Sequence, residues 1–352
     1  MQASPFARVL FALYVVLVSY ASLYPMTGWR VPGAPLFAFL STPWPPYNTR
    51  FDIAVNVLGY LPYGLLCVLA FHPKLRGLAA LALAVTSALV LSLGLETTQN
   101  FIALRHASTL DMAANTAGAM AGAAAGLAFA PWLLHAGPLR RLRGRLFQQG
   151  LAADLGLAVL GLWLFVQLNP AMLLFGSGDL RDLFATPEGP AHAPSVFVGI
   201  EALTVACNVV AVALLVSLLA SEPRFVRIEV ASLVLAALGL RTAAYAIVMR
   251  AEDVFAWLTR GAVQGLIAGV VAAWLIAGIP RTLRIVLAAL LVMSAAILVN
   301  LAPANPYLAA TLAVWRQGHF LNFNGLTRLV AAAWPFAALA YLIYFAALRG
   351  ER

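Results

Sequence analysis

The chain has 352 residues, of which 63% are hydrophobic and 10% charged, and its formal net charge is +9. Soluble domains carry about 25% charged residues. A soluble core has too little interior to hide this much apolar surface, so the bilayer must solvate most of the chain. The basic excess is almost wholly arginine and forms no compact basic module, which points to cytoplasmic loops beside anionic lipid and away from nucleic acid.

Met1 to Arg8 is short and basic, and an apolar run follows from Val9 to Tyr24. Without a clean small-x-small cleavage site, this reads as an uncleaved first span and not as a signal peptide. A span needs about 20 apolar residues. Ten candidates follow in order: 6–25, 52–71, 78–97, 110–132, 151–173, 196–219, 229–249, 257–278, 282–302 and 329–348. In lipid the backbone must satisfy its own hydrogen bonds, so these are helices. The fold class expected is all-α: a polytopic membrane helix bundle of about ten transmembrane helices. Only a short stretch containing Pro280 and Arg281 separates the eighth and ninth spans, which predicts a tight hairpin. The stretch 304–328 mixes apolar residues with Arg316, Gln317, His319, Asn322 and Asn324, and reads as interfacial or re-entrant.

Lysine and arginine placement orients the spans. With the N-terminus inside, the cytoplasmic set is Arg8, Lys74, Arg76, Arg140, Arg141, Arg143, Arg145, Arg224, Arg227, Arg281, Arg284, Arg349 and Arg352. The outer set is Arg30, Arg50, Arg105, Arg181, Arg250, Arg260, Arg316 and Arg328. Thirteen against eight, with Arg241 inside a span, predicts both termini in the cytoplasm. The basic cluster 140–145 marks the boundary: a first transmembrane domain over 1–135, a basic cytoplasmic linker over 136–150, and a second helical domain over 151–352.

Alternating spans bring scattered polar residues to one depth. The second span begins outside with Asp52 and Asn56, the third ends outside with Glu96 and Gln99, and the fourth begins outside with Asp111 and Asn115. Arg50, Arg105 and His106 stand at the same edge. Asp52, Asn56 and Gly59 share i, i+4, i+7 spacing with Asp111, Asn115 and Gly118, which places each trio on one helix face. The glycines would admit a close neighbouring backbone, and Gly118, Gly122 and Gly126 extend a small-xxx-small stripe. An ionised Asp at the centre of a membrane helix costs about 2.5–3.5 kcal/mol on insertion scales, so such residues pair, line a wet cavity or do chemistry. The plain reading is a polar clamp between helices two to four; the sharper one is an outward-facing pocket for a polar ligand.

These residues carry a family resemblance. The run Asp52-Ile53-Ala54-Val55-Asn56-Val57-Leu58-Gly59-Tyr60-Leu61-Pro62-Tyr63-Gly64 resembles the first motif of the VanZ family. Glu96-Thr97-Thr98-Gln99-Asn100-Phe101, followed by Arg105, Ser108, Asp111, Asn115 and Gly118, resembles the second and third, and together they cover roughly 6–132. The family takes its name from a protein linked to low-level teicoplanin resistance, so the resemblance implies a bacterial cell-envelope role, with antibiotic resistance as an inherited label. The later run Gly318-His319-Phe320-Leu321-Asn322-Phe323-Asn324-Gly325 and Trp334-Pro335-Phe336 resembles the tails of longer VanZ-like proteins.

In the second half, Glu201 and Arg241 are expected as an intramembrane pair, since each charge otherwise lacks a partner. Asn208 shares a face with Glu201. Gly261, Gly265 and Gly269 read as a helix-packing stripe. Gln167, Asn169, Gln264 and Asn300 fall near the outer face. Cys67 and Cys207 lie in apolar runs and read as small core hydrophobes. No HExxH, Walker A, Rossmann or GxSxG pattern occurs, so neither a metal nor a cofactor is expected. The loop 25–50, with Trp29, Trp44 and Tyr47, reads as an interfacial aromatic belt, with a lid over the pocket as the alternative.

The leading functional reading is an envelope protein of the bacterial cytoplasmic membrane. Its partners are membrane lipids and a lipid-linked or cell-wall component, held by Arg50, Asp52, Asn56, Glu96, Gln99, Arg105, Asp111 and Asn115. An enzyme on a membrane-embedded substrate, with a motif carboxylate as general base, is the second reading. A transporter or flippase is the third; the apolar inner halves of the first spans argue against it.

Overall fold

The computed structural model describes residues 4–44, 50–181, 184, 194–248, 253–276, 278–303, 305 and 321–348. The chain divides into two compact units, Met1–Arg143 and Gly144–Arg352.

Four long helices form the N-terminal unit: α1 (Pro5–Leu23), α2 (Arg50–Phe71), α3 (Gly77–Gln99) and α4 (Thr109–Pro131). Local signals set their starts. Ser4 accepts a hydrogen bond from the Ala7 amide with Pro5 at the first helical position, and Ser108 accepts from the Leu110 and Asp111 amides. Side-chain oxygens thereby satisfy amides that have no partner within their own helix. After α4 a π-helical turn over Trp132–Ala136 leads into the short α5 (Pro138–Leu146).

Helices α2 and α4 meet backbone to backbone. A Cβ on Gly118 would lie 2.2 Å from the Val57 carbonyl oxygen, one on Gly122 1.9 Å from that of Leu61, and one on Gly64 1.9 Å from that of Ala119. Dispersion contact and backbone proximity replace the hydrophobic effect between helices in lipid, and only small residues permit such closeness. Around this contact Tyr60, Tyr63, Cys67, Val68, Ala80, Ala84, Ala88, Ala119 and Ala123 are buried.

The C-terminal unit holds α6 (Leu151–Val166), α7 (Pro194–Leu219), α8 (Val226–Val248), α9 (Arg260–Leu275), α10 (Arg281–Leu301) and α11 (Leu321–Ala347). Helix α7 is at its centre, and Val205, Val209, Ala211, Val212, Leu215 and Leu219 are all buried. Helix α9 lies against it through Gly261, Gly265 and Gly269, whose Cβ positions fall on Val198, Ala202, Val205 and Val209. That stripe is helix packing.

All ten expected spans are helices, so the chain is an all-α polytopic bundle. Seven are long and apolar enough to cross a membrane: α1, α2, α3, α7, α8, α10 and α11. Helices α6 and α9 are apolar but shorter, and α4 is diluted by its glycines, Asp111 and Asn115.

Two boundaries differ most from expectation. The fifth span stops at Val166 and not at 173, because Pro170 removes an amide donor and the Asn169 side chain takes the Ala171 amide at 2.9 Å instead. The tenth begins at Leu321, so 321–328, expected as interfacial or re-entrant, is the first two turns of α11. The rest of that stretch, with Arg316, Gln317 and His319, lies outside the described residues except for 305, as do Tyr47, Arg250, Arg349 and Arg352.

The chain after α6 is irregular yet buried: Leu174, Phe175 and Ser177 are each at most 1% exposed. Its backbone is satisfied from neighbouring helices. Gly178 donates to the Ala331 carbonyl at 2.8 Å, and the Asn300 amide donates to the Gly178 carbonyl at 2.6 Å and accepts from the Leu180 amide at 3.0 Å. Gly178 has φ +89°, and a Cβ there would sit 2.6 Å from that of Ala296. Irregular backbone among membrane helices is tolerated where protein groups meet its polar atoms in this way.

Candidate functional site

Within the N-terminal unit, the C-terminal end of α3 and the N-terminal ends of α2 and α4 come together with the last turn of α1. Glu96, 3% exposed, accepts the Ser108 backbone amide at 2.8 Å. Ser108 in turn caps α4 with its hydroxyl, so a carboxylate from α3 completes a capping box for α4. One turn deeper, the Asn115 amide donates to the Ser92 hydroxyl at 3.0 Å. One turn on from Glu96, Gln99 donates to the Ser22 carbonyl at 3.0 Å.

Arg105 lies in the α3–α4 turn and serves the end of α1, donating from Nε to the Tyr24 carbonyl at 2.8 Å and from Nη2 to that of Ala21 at 3.4 Å. A cation there meets carbonyls that α1 leaves unpaired and the negative end of its dipole. Burial lowers the pKa of this guanidinium, and the carboxylates of Glu96 and Asp111 work in the opposite sense; it remains charged.

The Asp111 carboxylate faces the Asn56 amide and feels the charges of Asp52 and Arg105. Exposure falls with depth. Arg50, Asp52 and His106 are exposed, Asn56, Arg105 and Asp111 are intermediate, and Gln99, Glu96 and Asn115 are buried. At the buried end, Tyr60 faces Ser92 and Glu96. Asn115 Oδ1 there has no hydrogen-bond partner in the protein. The result is a polar cluster, exposed at Arg50, Asp52 and His106, buried at Glu96, Gln99 and Asn115, and carrying one unused acceptor at its buried end.

The eight residues expected at this site therefore divide. Gln99, Arg105, Glu96 and one side of Asn115 bind the helices to each other. Arg50, Asp52, Asn56 and Asp111 stand toward the exposed end. The two Asp-Asn-Gly trios are not equivalent: Gly118 touches α2, but a Cβ on Gly59 would meet nothing within 4 Å, and α2 uses Gly64 for its close approach. Gly59 instead offers its carbonyl to the Tyr14 hydroxyl at 2.6 Å. Among the described residues, no group of three His, Cys, Asp or Glu side chains is placed to hold a metal ion.

Sequence reasoning missed Ser108, Ser92 and Tyr60 as members of this site. The signals were present: Ser108-x-x-Asp111 is a capping pattern, and Ser92 stands one turn before Glu96. Two further ties fold the loop after α1 over the α3–α4 turn. Arg30 donates its backbone amide to the Phe101 carbonyl at 2.7 Å, and Ala103 donates to that of Gly28 at 3.1 Å. The Asn100 side chain adds a bond to the Leu36 carbonyl at 3.0 Å. Trp29 and Trp44 on this loop stay exposed, at 56% and 64%.

In the C-terminal unit, Glu201 and Arg241 feel each other's charge, but their hydrogen bonds go elsewhere. Glu201 accepts from the Thr259 hydroxyl at 2.5 Å. Arg241, 2% exposed, donates to the carbonyls of Asn169 and Met172 in the irregular segment after α6. Tyr245, whose ring centroid lies 5.4 Å from the Arg241 guanidinium, donates its hydroxyl to the Pro170 carbonyl at 3.1 Å.

Fold and side-chain contacts together define a multi-pass helical membrane protein whose N-terminal unit carries a cluster of polar residues at one end. Residues 9–130 match the VanZ/LLP1 family, so the chain carries an N-terminal VanZ-like domain within a longer membrane protein. No curated protein and no solved structure matches the chain.

Proposed function

We propose that the VanZ-like unit is the ligand-holding part of a bacterial cell-envelope protein of the cytoplasmic membrane. Its polar cluster opens on the outer face and takes the polar head of a lipid-linked or cell-wall component. One observation carries this reading: the buried end of the cluster holds the unused acceptor Asn115 Oδ1. Buried polar atoms are nearly always hydrogen-bonded, and exceptions point to a water or a ligand. Arg50 at the exposed end supplies charge-assisted hydrogen bonds to an anionic group. Asp52 and Asp111 accept from hydroxyl or amide donors on the same head. The close α2–α4 contact supports a preformed site, which lowers the ordering cost of binding.

The test is capture of a lipid-linked cell-wall precursor by the purified chain, read by mass spectrometry. The wild-type protein retains it; Asp52→Ala and Asp111→Ala lose most of it at unchanged protein level. Full retention by both variants overturns the reading. If Asp111→Asn retains the precursor but stops its turnover, the carboxylate is a general base and the protein an enzyme. Orientation is tested separately with Asn56→Cys and His106→Cys in a chain lacking Cys67 and Cys207. Both positions are expected to react from the outer side, and labelling from the cytoplasmic side refutes the outward opening.

A further inference from the structure

The end of the N-terminal unit opposite the polar cluster has its own chemistry. Residues 1–143 contain three carboxylates, Asp52, Glu96 and Asp111, and all three belong to that cluster. At the other end stand six cations and no acid: Arg8, Lys74, Arg76, Arg140, Arg141 and Arg143. Tertiary contacts hold them at one level. Arg8 donates to the Ala70 carbonyl at 3.3 Å, which ties the start of α1 to the end of α2. The guanidinium of Arg143 lies 5.2 Å from the ring centroid of Phe6 in the first turn of α1. Arg140 donates to the Leu134 carbonyl at 2.7 Å, closing the turn that leads into α5.

Helix α5 is amphipathic. At about 100° per residue, Leu142 and Leu146 share one face while Arg140 and Arg141 point to the other. Leu142 is 52% exposed, and Trp132, one turn before the helix, is 46% exposed. A tryptophan at a span end, followed by a short arginine-rich helix with an uncovered leucine, has the composition of an element lying in the headgroup layer.

We propose that this basic end, with α5 in the membrane plane, is a docking surface for the anionic phospholipid headgroups of the leaflet that surrounds it. The phosphates meet Arg140, Arg141 and Arg143 with Arg8, Lys74 and Arg76 behind them, and Leu142 enters the acyl boundary. The surface is independent of the polar cluster, so either proposal stands or falls alone.

The full chain in detergent is equilibrated with mixed micelles of phosphatidylglycerol and phosphatidylcholine of matched acyl chains, and retained lipid is quantified by mass spectrometry. A basic residue near an anionic surface contributes about fivefold in affinity. Wild-type protein is therefore expected to favour phosphatidylglycerol by about fivefold or more. Joint Arg140→Gln, Arg141→Gln and Arg143→Gln brings the ratio close to one, and the matching Arg→Lys set keeps it. Arg30→Gln with Arg260→Gln leaves it unchanged. No preference in the wild type, or an undiminished one in the triple Gln variant, overturns the proposal. So does an equal fall in the Lys set or the Arg30/Arg260 control. Full displacement of the lipid by excess glycerophosphate reassigns the surface to free phosphate esters and also overturns it. Should the triple Gln variant fail to fold, the wild-type ratio is measured against ionic strength: a fall with added salt supports the charged surface, and a flat response refutes it.

Discussion

In the N-terminal unit, Arg105 is half-buried beside two carboxylates, Glu96 and Asp111, and exposure rises from Glu96 through Asp111 to Asp52. In the C-terminal unit, Arg241 is 2% exposed and gives its donors to two backbone carbonyls. Both regions place an arginine, an acid and an asparagine among membrane helices. Both arginines serve backbone carbonyls near a helix end, but in the first region Asp52 and Asp111 stand toward an exposed end, while in the second Glu201 is buried and held by Thr259. A charge inside a membrane protein is therefore read by what it hydrogen-bonds and not by its presence, because lipid taxes an unsatisfied carbonyl as well as an unpaired charge.

The comparison breaks most easily at the supports of each region. Gly122→Leu forces a side chain onto the Leu61 carbonyl, 1.9 Å from the Cβ position, and backbone cannot yield as a flexible side chain does. It should cost about 3 kcal/mol and disrupt the polar cluster entirely, seen as loss of a monodisperse species in size-exclusion chromatography. A well-folded variant would mean that the cluster does not depend on the α2–α4 contact.

Arg241→Leu leaves the Asn169 and Met172 carbonyls without their charged donor. Hydrogen bonds to charged groups contribute about 1.5–3 kcal/mol each, so thermal unfolding in detergent should show a loss of about 2 kcal/mol or more. If the variant is as stable as wild type, the contrast between a buried clamp and an exposed polar end fails. Ser108→Ala removes the cap of α4 but keeps the backbone amide bound to Glu96, and should cost about 1 kcal/mol. A loss nearer 3 kcal/mol would show that the Glu96 contact goes with the hydroxyl. Asp52→Ala, at the exposed end, should change stability by no more than about 0.5 kcal/mol. A larger loss would move Asp52 from exposed end to clamp and bring the two regions closer in character.

The amino-acid sequence determined the class of protein and the level of the polar residues. Apolar runs of about 20 residues cannot stay in water or form open strands in lipid, so each became a helix. Successive spans alternate in direction, which alone brought Asp52, Glu96 and Asp111 to one end. Only the tertiary structure decided how those residues are spent. Gly64 and not Gly59 carries the close approach on α2, because rotation about the helix axis follows from packing against α4. Gln99 and Arg105 serve carbonyls at the end of α1, a partner no local pattern names. Arg241 turned to the segment after α6 because Pro170 and the Asn169 turn end that helix early. The carbonyls they leave open are satisfied only by a group that long-range packing brings within reach.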